Sequence, residues 1–148
     1  MRYDAGGGRV MAISGFEGTV LLVARVLFGG VIAFTGLNHF FETEQMTGYA
    51  QHKGLPAPKL SVLGSGVALV LSGLAIVTGA FPVLGAAMAA GFLVVAGLTM
   101  HDFWAVPAEE KQNEMTQFLK NVALAGGALA IAVLGFSSWS YSVGVGLF

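Results

Sequence analysis

The chain has no cysteine and few charged residues, and these two shortages exclude several classes of protein. Without cysteine there is no disulfide, thiolate nucleophile, iron–sulfur ligation or cysteine zinc site. Charged residues make up 10% of the 148 residues, whereas an ordinary soluble domain carries about 25%. The formal net charge of −1 leaves no basic surface of the kind that nucleic acid requires. An ordinary soluble enzyme and a nucleic-acid-binding protein are therefore both excluded.

Apolar residues are abundant instead, and their spacing indicates a membrane protein. Hydrophobic residues make up 55% of the chain, and there are 22 glycines. A bilayer core about 30 Å thick is crossed by about 20 mostly apolar residues in a helix. Four segments meet or approach this length, at 18–41, 60–80, 83–100 and 118–136. We predict an all-α, four-helix transmembrane bundle of up-down-up-down order, embedded in the lipid bilayer of the cell membrane.

The connectors define the predicted domain organisation. Residues 1–17, which include Gly6, Gly7 and Gly8, are expected to form a mobile N-terminal tail. Residues 18–148 then form a single transmembrane domain. The connectors 42–59 and 101–117 are long and polar, whereas a short turn before Pro82 joins helices two and three. With four spans, both termini lie on the side opposite the two long connectors.

Small residues recur at helical spacing together with most of the polar ones. The first segment carries one such stripe: Arg25, Gly29, Ile32, Gly36 and His39. The third segment carries another: Ala86, Ala90, Gly97 and His101. The fourth segment carries two adjacent stripes, Lys120, Ala123, Gly127 and Ala130, and Asn121, Ala125, Ala128 and Ala132. Because membrane helices pack through small residues, we predict that these stripes, with their polar members, face inward.

Depth along the helices separates the polar residues into two groups. Arg25 and His39 lie fourteen positions apart, about 21 Å along a helix axis, so they cannot hold the same small ligand. Arg25 is expected alone near the side of the termini. The remaining candidates fall near the long connectors: His39, His101, Asp102, Trp104, Lys120 and Asn121.

Several chemical interpretations of these residues are open. A histidine beside a carboxylate and a tryptophan suits a quinone headgroup, because imidazole exchanges protons near neutral pH. Haem with His39 and His101 as axial ligands is a less favoured alternative, since both lie at the membrane edge where polar residues cost little. The same histidines could instead cap helix ends, and Trp104 could belong to an interfacial aromatic belt. Arg25 either snorkels or packs at its interface, or has a functional role.

Two motifs resemble the DoxX family of small membrane proteins. One is His101-Asp102-Phe103-Trp104, and the other is Phe118-Leu119-Lys120-Asn121. Gly54-Leu55-Pro56-Ala57-Pro58 and the Arg25, Gly29 and Gly36 pattern add to the likeness, which spans roughly residues 20–135. The resemblance implies a four-helix transmembrane bundle associated with respiratory or sulfur-linked oxidoreductases, such as a quinol oxidase or a thiosulfate:quinone oxidoreductase. The positions that match the family motifs are Arg25, His101, Asp102, Trp104, Lys120 and Asn121.

The chain departs from the family pattern in helix two. Many relatives carry a glutamate where this chain has apolar residues at 67–70, which argues against proton transfer in that helix. The absence of cysteine argues against direct sulfur chemistry. We therefore expect a membrane accessory subunit of a quinone-linked oxidoreductase, not catalytic by itself, with an oxidase or dehydrogenase as its partner. A purely structural membrane subunit and a small-molecule carrier are the alternatives.

Overall fold

Helices dominate the computed structural model, which describes residues 12–146. The helices are α1 (Gly15–Phe41), α2 (Thr43–His52), α3 (Pro58–Thr78), α4 (Pro82–Met100) and α5 (Ala108–Leu134). The two-residue strands β1 (Ala12–Ile13) and β2 (Ser138–Trp139) pair in parallel. α1, α3, α4 and α5 are each long and apolar enough to cross a membrane. The predicted all-α transmembrane bundle is confirmed.

Three boundaries differ from the sequence prediction. The connector 42–59 contains α2, which is too short and too polar to cross a membrane. α5 begins at Ala108 and not at 118, because Pro107 and the first-turn residues Glu109 and Glu110 suit a helix N-terminus even though they are polar. Residues 12–17, expected in the tail, lie in β1, Ser14 and the first turn of α1. The remainder of the predicted tail, residues 1–11, lies outside the described residues.

The turn between α3 and α4 makes these helices antiparallel neighbours. Gly79 follows α3 with φ at +71°, the left-handed conformation in which many helices end. Pro82 then occupies the first turn of α4, where its missing N–H has no intrahelical partner to lose. The turn lies on the side of the termini, as predicted, because the chain from Ser138 onward contacts the end of α3.

Glycines let the backbones of α1 and α3 approach closely. A Cβ added to Gly73 would lie 2.3 Å from the Gly29 carbonyl oxygen and 2.5 Å from the Ala33 nitrogen. A Cβ on Gly36 would lie 2.7 Å from the Val70 nitrogen. The buried face of α1 includes Gly29 and Gly36, so the inward stripe predicted for the first segment is confirmed.

α5 faces the bundle with one of its two predicted stripes. The buried residues are Asn121, Ala125, Ala128 and Ile131. Lys120, Ala123 and Ala130 are exposed, so the prediction that Lys120 lies on an inward stripe is wrong. The reason is that α5 packs mainly against α4, whereas α1 reaches α5 at Gly127 through the Phe28 ring, 3.5 Å from a Cβ placed there. A pattern within α5 alone does not distinguish these two neighbours.

An apolar core separates the two ends of the bundle. Ile32, Leu69, Leu93 and Ala128 are buried together at its centre. A second cluster, which includes Ile76 and Trp139, lies toward the termini. Among residues 12–146 the ionisable side chains therefore lie toward the two ends of the bundle, where their contacts differ in kind.

Because α1 and α3 approach closely, adding a single methyl group between them should strongly lower the stability of the fold. Gly73→Ala should destabilise the chain by about 2 kcal/mol, because its Cβ would collide with the backbone of α1 and force the helices apart. Thermal unfolding in detergent measures the effect. Gly91→Ala is the matched control, since a Cβ at Gly91 meets nothing within 4 Å. Equal melting temperatures for the two variants would contradict this packing.

Candidate functional site

Arg25 is fully buried at the end of the bundle that carries the termini. Its guanidinium donates to Ile76 O at 3.0 Å and to Val77 O at 2.6 Å, both at the C-terminal end of α3. It also donates to Ser140 O at 3.3 Å and to Tyr141 O at 3.2 Å. All four acceptors are neutral carbonyl groups. The structure favours the packing alternative for Arg25 over snorkelling, because the charge is retained inside the fold.

This arrangement satisfies the carbonyl groups that the end of α3 would otherwise leave unpaired. The last four carbonyls of a helix have no intrahelical partner, and the negative end of the helix dipole favours a cation beside them. Each of the four has a donor here. The pairs are Ala75 O with Gly79 N, Ile76 O with Arg25 Nε, Val77 O with Arg25 Nη2, and Thr78 O with Val143 N.

Trp139 completes the enclosure of Arg25. The guanidinium carbon lies 4.9 Å from the centre of the indole ring, within the range of a cation–π contact. The indole N–H donates to Leu134 O at 2.7 Å, which fixes the ring against the end of α5. Arg25 thus connects α1, α3 and the segment after α5, and its polar contacts are all with the protein itself.

The opposite end of the bundle contains pairs of ionisable side chains. The Lys53 ammonium donates to Asp102 Oδ1 and lies 5.6 Å above the Tyr49 ring. The Tyr49 hydroxyl donates to Met100 O at 2.9 Å. These contacts attach α2 to the end of α4. They explain why a short polar helix folds in this connector.

Charge and burial shift the pKa values within this group. The hydrogen bond from Lys53 holds the pKa of Asp102 below its usual value. Partial burial opposes the charge on Lys53, but the hydrogen bond to Asp102 and the negative groups nearby outweigh it and raise the pKa of Lys53. Burial, with Glu114 nearby, raises the pKa of Tyr49. Asp102 and Lys53 therefore both carry charge at neutral pH.

His101 is paired with Glu114 at this same end. Its Nδ1–H donates to Glu114 Oε2 at 2.9 Å, and the side chains are 24% and 13% exposed. This contact fixes the tautomer of the neutral imidazole and makes Nε2 the acceptor nitrogen. Nε2 has no hydrogen-bond partner among residues 12–146. His101 is therefore oriented by a carboxylate, with Nε2 as its acceptor nitrogen.

Three aromatic rings cluster beside the His101–Glu114 pair. Phe103, Trp104 and Phe118 contact one another edge to face, with ring centres 5.1 to 5.7 Å apart. Trp104 is 54% exposed, as an interfacial aromatic residue would be. The cluster provides an apolar surface next to the polar pairs.

His39, Lys120 and Asn121 complete the set of candidates at this end. His39 donates Nδ1–H to Thr35 O at 2.8 Å within α1, and its ring contacts Phe92 of α4 edge to face. Lys120 is exposed and donates to Gln117 Oε1 one turn earlier in α5. Asn121 is 7% exposed and faces α4.

The structure assembles part of the predicted cluster and adds residues that the sequence analysis did not single out. Asp102 and His101 belong to polar pairs whose partners, Lys53 and Glu114, were missed. Glu114 lies in a run of charged residues at 109–114, a pattern that by itself is typical of a solvent-exposed helix face. The helical spacing of α5 could have identified Glu114. The buried stripe of α5 begins at Asn121, and the positions one and two turns before it on the same face are Phe118 and Glu114.

Comparison with known families agrees with this architecture. The family model described as DoxX matches residues 20–102, more than half of the chain. The chain belongs to the DoxX family. As a DoxX protein with four membrane-spanning helices, it is a multi-pass membrane protein. Neither a curated protein nor a solved structure matches it.

The matched range bears on the candidate residues. It contains Arg25, His39, His101 and Asp102, and it ends before Trp104 and α5. Glu114 and Asn121 therefore lie outside the part that defines family membership. Glu114 and Asn121 are candidate site residues because of their contacts and burial in this structure.

Arg25 is expected to be the most sensitive ionisable residue for folding. Arg25→Met should destabilise the chain by about 3 kcal/mol, since it leaves buried carbonyls at the end of α3 without donors. Hydrogen exchange should show residues 138–146 losing protection before the rest of the bundle. Lys59→Met, at an exposed position, is the control. Unchanged protection of that segment in Arg25→Met would contradict the assigned role.

The Lys53–Asp102 pair predicts a defined pH dependence. Because the pKa of Asp102 is lowered on folding, its contribution is present above about pH 4 and is lost as the pH falls further. Because the pKa of Lys53 is raised, its contribution is lost above about pH 10.4.

A double-mutant cycle with Lys53→Met and Asp102→Asn isolates this interaction. We expect a coupling energy of up to about 1 kcal/mol at pH 7, since the pair is partly exposed. The coupling should shrink as the pH falls below about 4, because Asp102 protonates only below its usual pKa. A coupling that is the same at pH 7 and at about pH 2 would show that the pair contributes nothing electrostatic.

Proposed function

We propose that the chain is an accessory membrane subunit of a quinone-linked oxidoreductase complex. In this proposal the end of the bundle near α2 contacts the quinone headgroup. The observation that supports this most is the His101–Glu114 pair, with Nδ1 bound to the carboxylate and Nε2 without a partner among the described residues. The pair lies where α4 ends and α5 enters the membrane, at the depth of an interface. A lipid-soluble headgroup can reach such a position.

The residues present suit the chemistry of a quinone. When bound, a quinone supplies the two-electron chemistry, and the proposal assigns the electrons to a redox centre of a partner oxidase or dehydrogenase. Within this chain, His101 holds or releases a proton at Nε2, and Glu114 keeps the ring in the required tautomer. The rings of Phe103, Trp104 and Phe118 offer an apolar surface for the headgroup.

The neighbouring ion pair supports the site without taking part in proton exchange. Asp102 follows His101 directly and is held by Lys53 of the α2 segment. Their shifted pKa values keep both groups charged around neutral pH. In this proposal they fix the position of the 101–104 segment.

A purely structural subunit is the second candidate, and the outer face of α5 favours it. Ala123 and Ala130 are exposed, and a Cβ at Gly126 would meet nothing within 4 Å. Small residues on a membrane helix allow another helix to approach closely. In this alternative the chain packs beside its partner through α5, and the His101 pair only anchors a loop.

Turnover of the assembled complex distinguishes the two candidates. His101→Ala should lower quinone-linked turnover about 100-fold, the usual effect of losing a proton-exchanging group, while the complex still assembles. His52→Ala is the control, because His52 is exposed at the end of α2. Co-purification with the partner measures assembly for both variants. Full turnover of an assembled His101→Ala complex would contradict the quinone-contacting role and favour the purely structural subunit.

A further inference from the structure

Asn121 is a buried polar side chain in the apolar part of α5 that the fold does not satisfy. The residue is 7% exposed, and its amide makes no hydrogen bond with any of residues 12–146, although the amide atoms are not fully enclosed by the protein. An amide without a protein partner needs one from elsewhere, and membrane helices have little water to supply it. Packing alone would favour an apolar residue at this position. The amide therefore points to a group from outside the chain.

The surroundings of Asn121 leave room beside the amide. A Cβ placed on Gly97 of α4 would lie 3.5 Å from Asn121 Cβ, 3.8 Å from Nδ2 and 3.6 Å from the Phe118 ring. These are ordinary contact distances, so a methyl group would fit at Gly97. Because glycine has only a hydrogen there, a space the size of a methyl group remains beside the amide. The facing position in α4 thus keeps the amide accessible.

The same seam between α4 and α5 leads to the His101–Glu114 pair. His101 follows Gly97 by four residues and Glu114 precedes Asn121 by seven, so they lie about one and two helical turns away on the same faces. Phe118 lies between them on α5. A ligand in this seam could contact the amide, the aromatic ring and the imidazole in sequence.

We propose that Asn121 binds the carbonyl oxygen of a lipid-soluble ligand in the α4–α5 seam, by donating from Nδ2. An amide offers two donors and one acceptor without charge, so the site accepts a neutral carbonyl and, through Oδ1, the hydroxyl of its reduced form. A quinone presents this chemistry, and that reading rests on the proposed function. The ester carbonyl of a membrane lipid presents the same acceptor.

Ser72 provides a comparison within the same bundle. Its hydroxyl is also buried and without a partner among the described residues. However, it lies at a closely packed contact, where a Cβ on Gly85 would be 2.5 Å from Ala75 Cβ and 3.1 Å from Ser72 O. Ser72 has no comparable space for a ligand, and Ser72→Ala is therefore the matched control for removing a buried, unpaired polar group.

Binding to the purified, delipidated full chain tests the proposal. A benzoquinone with a decyl tail is titrated while tryptophan fluorescence is followed, since one of the two tryptophans, Trp104, contacts Phe118 at 5.7 Å between ring centres. Asn121→Leu should weaken binding about tenfold, the loss of one or two hydrogen bonds, without lowering the melting temperature. Ser72→Ala should bind as the parent does. Gly97→Ala should also weaken binding, because its methyl group fits the packing but fills the space beside the Asn121 amide. This variant tests the proposal if Asn121→Leu folds poorly.

A second arm separates a quinone from a lipid. The melting temperature is compared in an ester-linked phospholipid and in its ether-linked analogue, which lacks the carbonyls. If the quinone does not bind but the ester lipid stabilises the parent more than the ether lipid, and Asn121→Leu removes the difference, the carbonyl site stands and the quinone function loses its support. If neither ligand's effect changes in Asn121→Leu and Gly97→Ala, the proposal is overturned, and the His101 experiment still decides the proposed function.

Discussion

The buried charge of Arg25 is the constraint on which the architecture depends. A guanidinium inside a membrane bundle is stable only when its donors are satisfied, and here four carbonyl groups accept from it. Two belong to the end of α3 and two to the segment after β2, so one side chain of α1 is tied to both. The charge thus joins α1, α3 and the segment after β2 at the end of the bundle that carries the termini.

The other end is held by a different kind of interaction. Lys53 with Asp102, and His101 with Glu114, are contacts between two side chains, each partly exposed. Such pairs are individually weak and respond to pH, whereas the carbonyl partners of Arg25 do not titrate. The paired ionisable side chains found among residues 12–146 therefore both lie at the end near α2.

The sequence predicted the spans better than it predicted the site. Length and apolar composition placed four helices, and spacing placed Gly29 and Gly36 on the inward face, because both signals are local. α2 and the polar first turns of α5 were missed since they carry no apolar signal. The partners of Arg25 are backbone carbonyls, which no side-chain pattern reveals. Glu114 lies in a run of charged residues at 109–114, and only the register of α5 against α4 shows that it contacts His101.

Arg25 and Asn121 differ in whether the fold satisfies a buried polar side chain of a membrane-spanning helix. Both lie on inward stripes of membrane-spanning helices and both are more than nine-tenths buried. The fold supplies every acceptor that Arg25 needs, although this requires four carbonyl groups from distant parts of the chain. It supplies none for Asn121 among the described residues and places a glycine opposite it. A bundle that satisfies a guanidinium in this way could also have satisfied or replaced one amide. Ser72 shows that an unsatisfied polar group is not sufficient by itself, so the space opposite Asn121 is what supports the proposed ligand site.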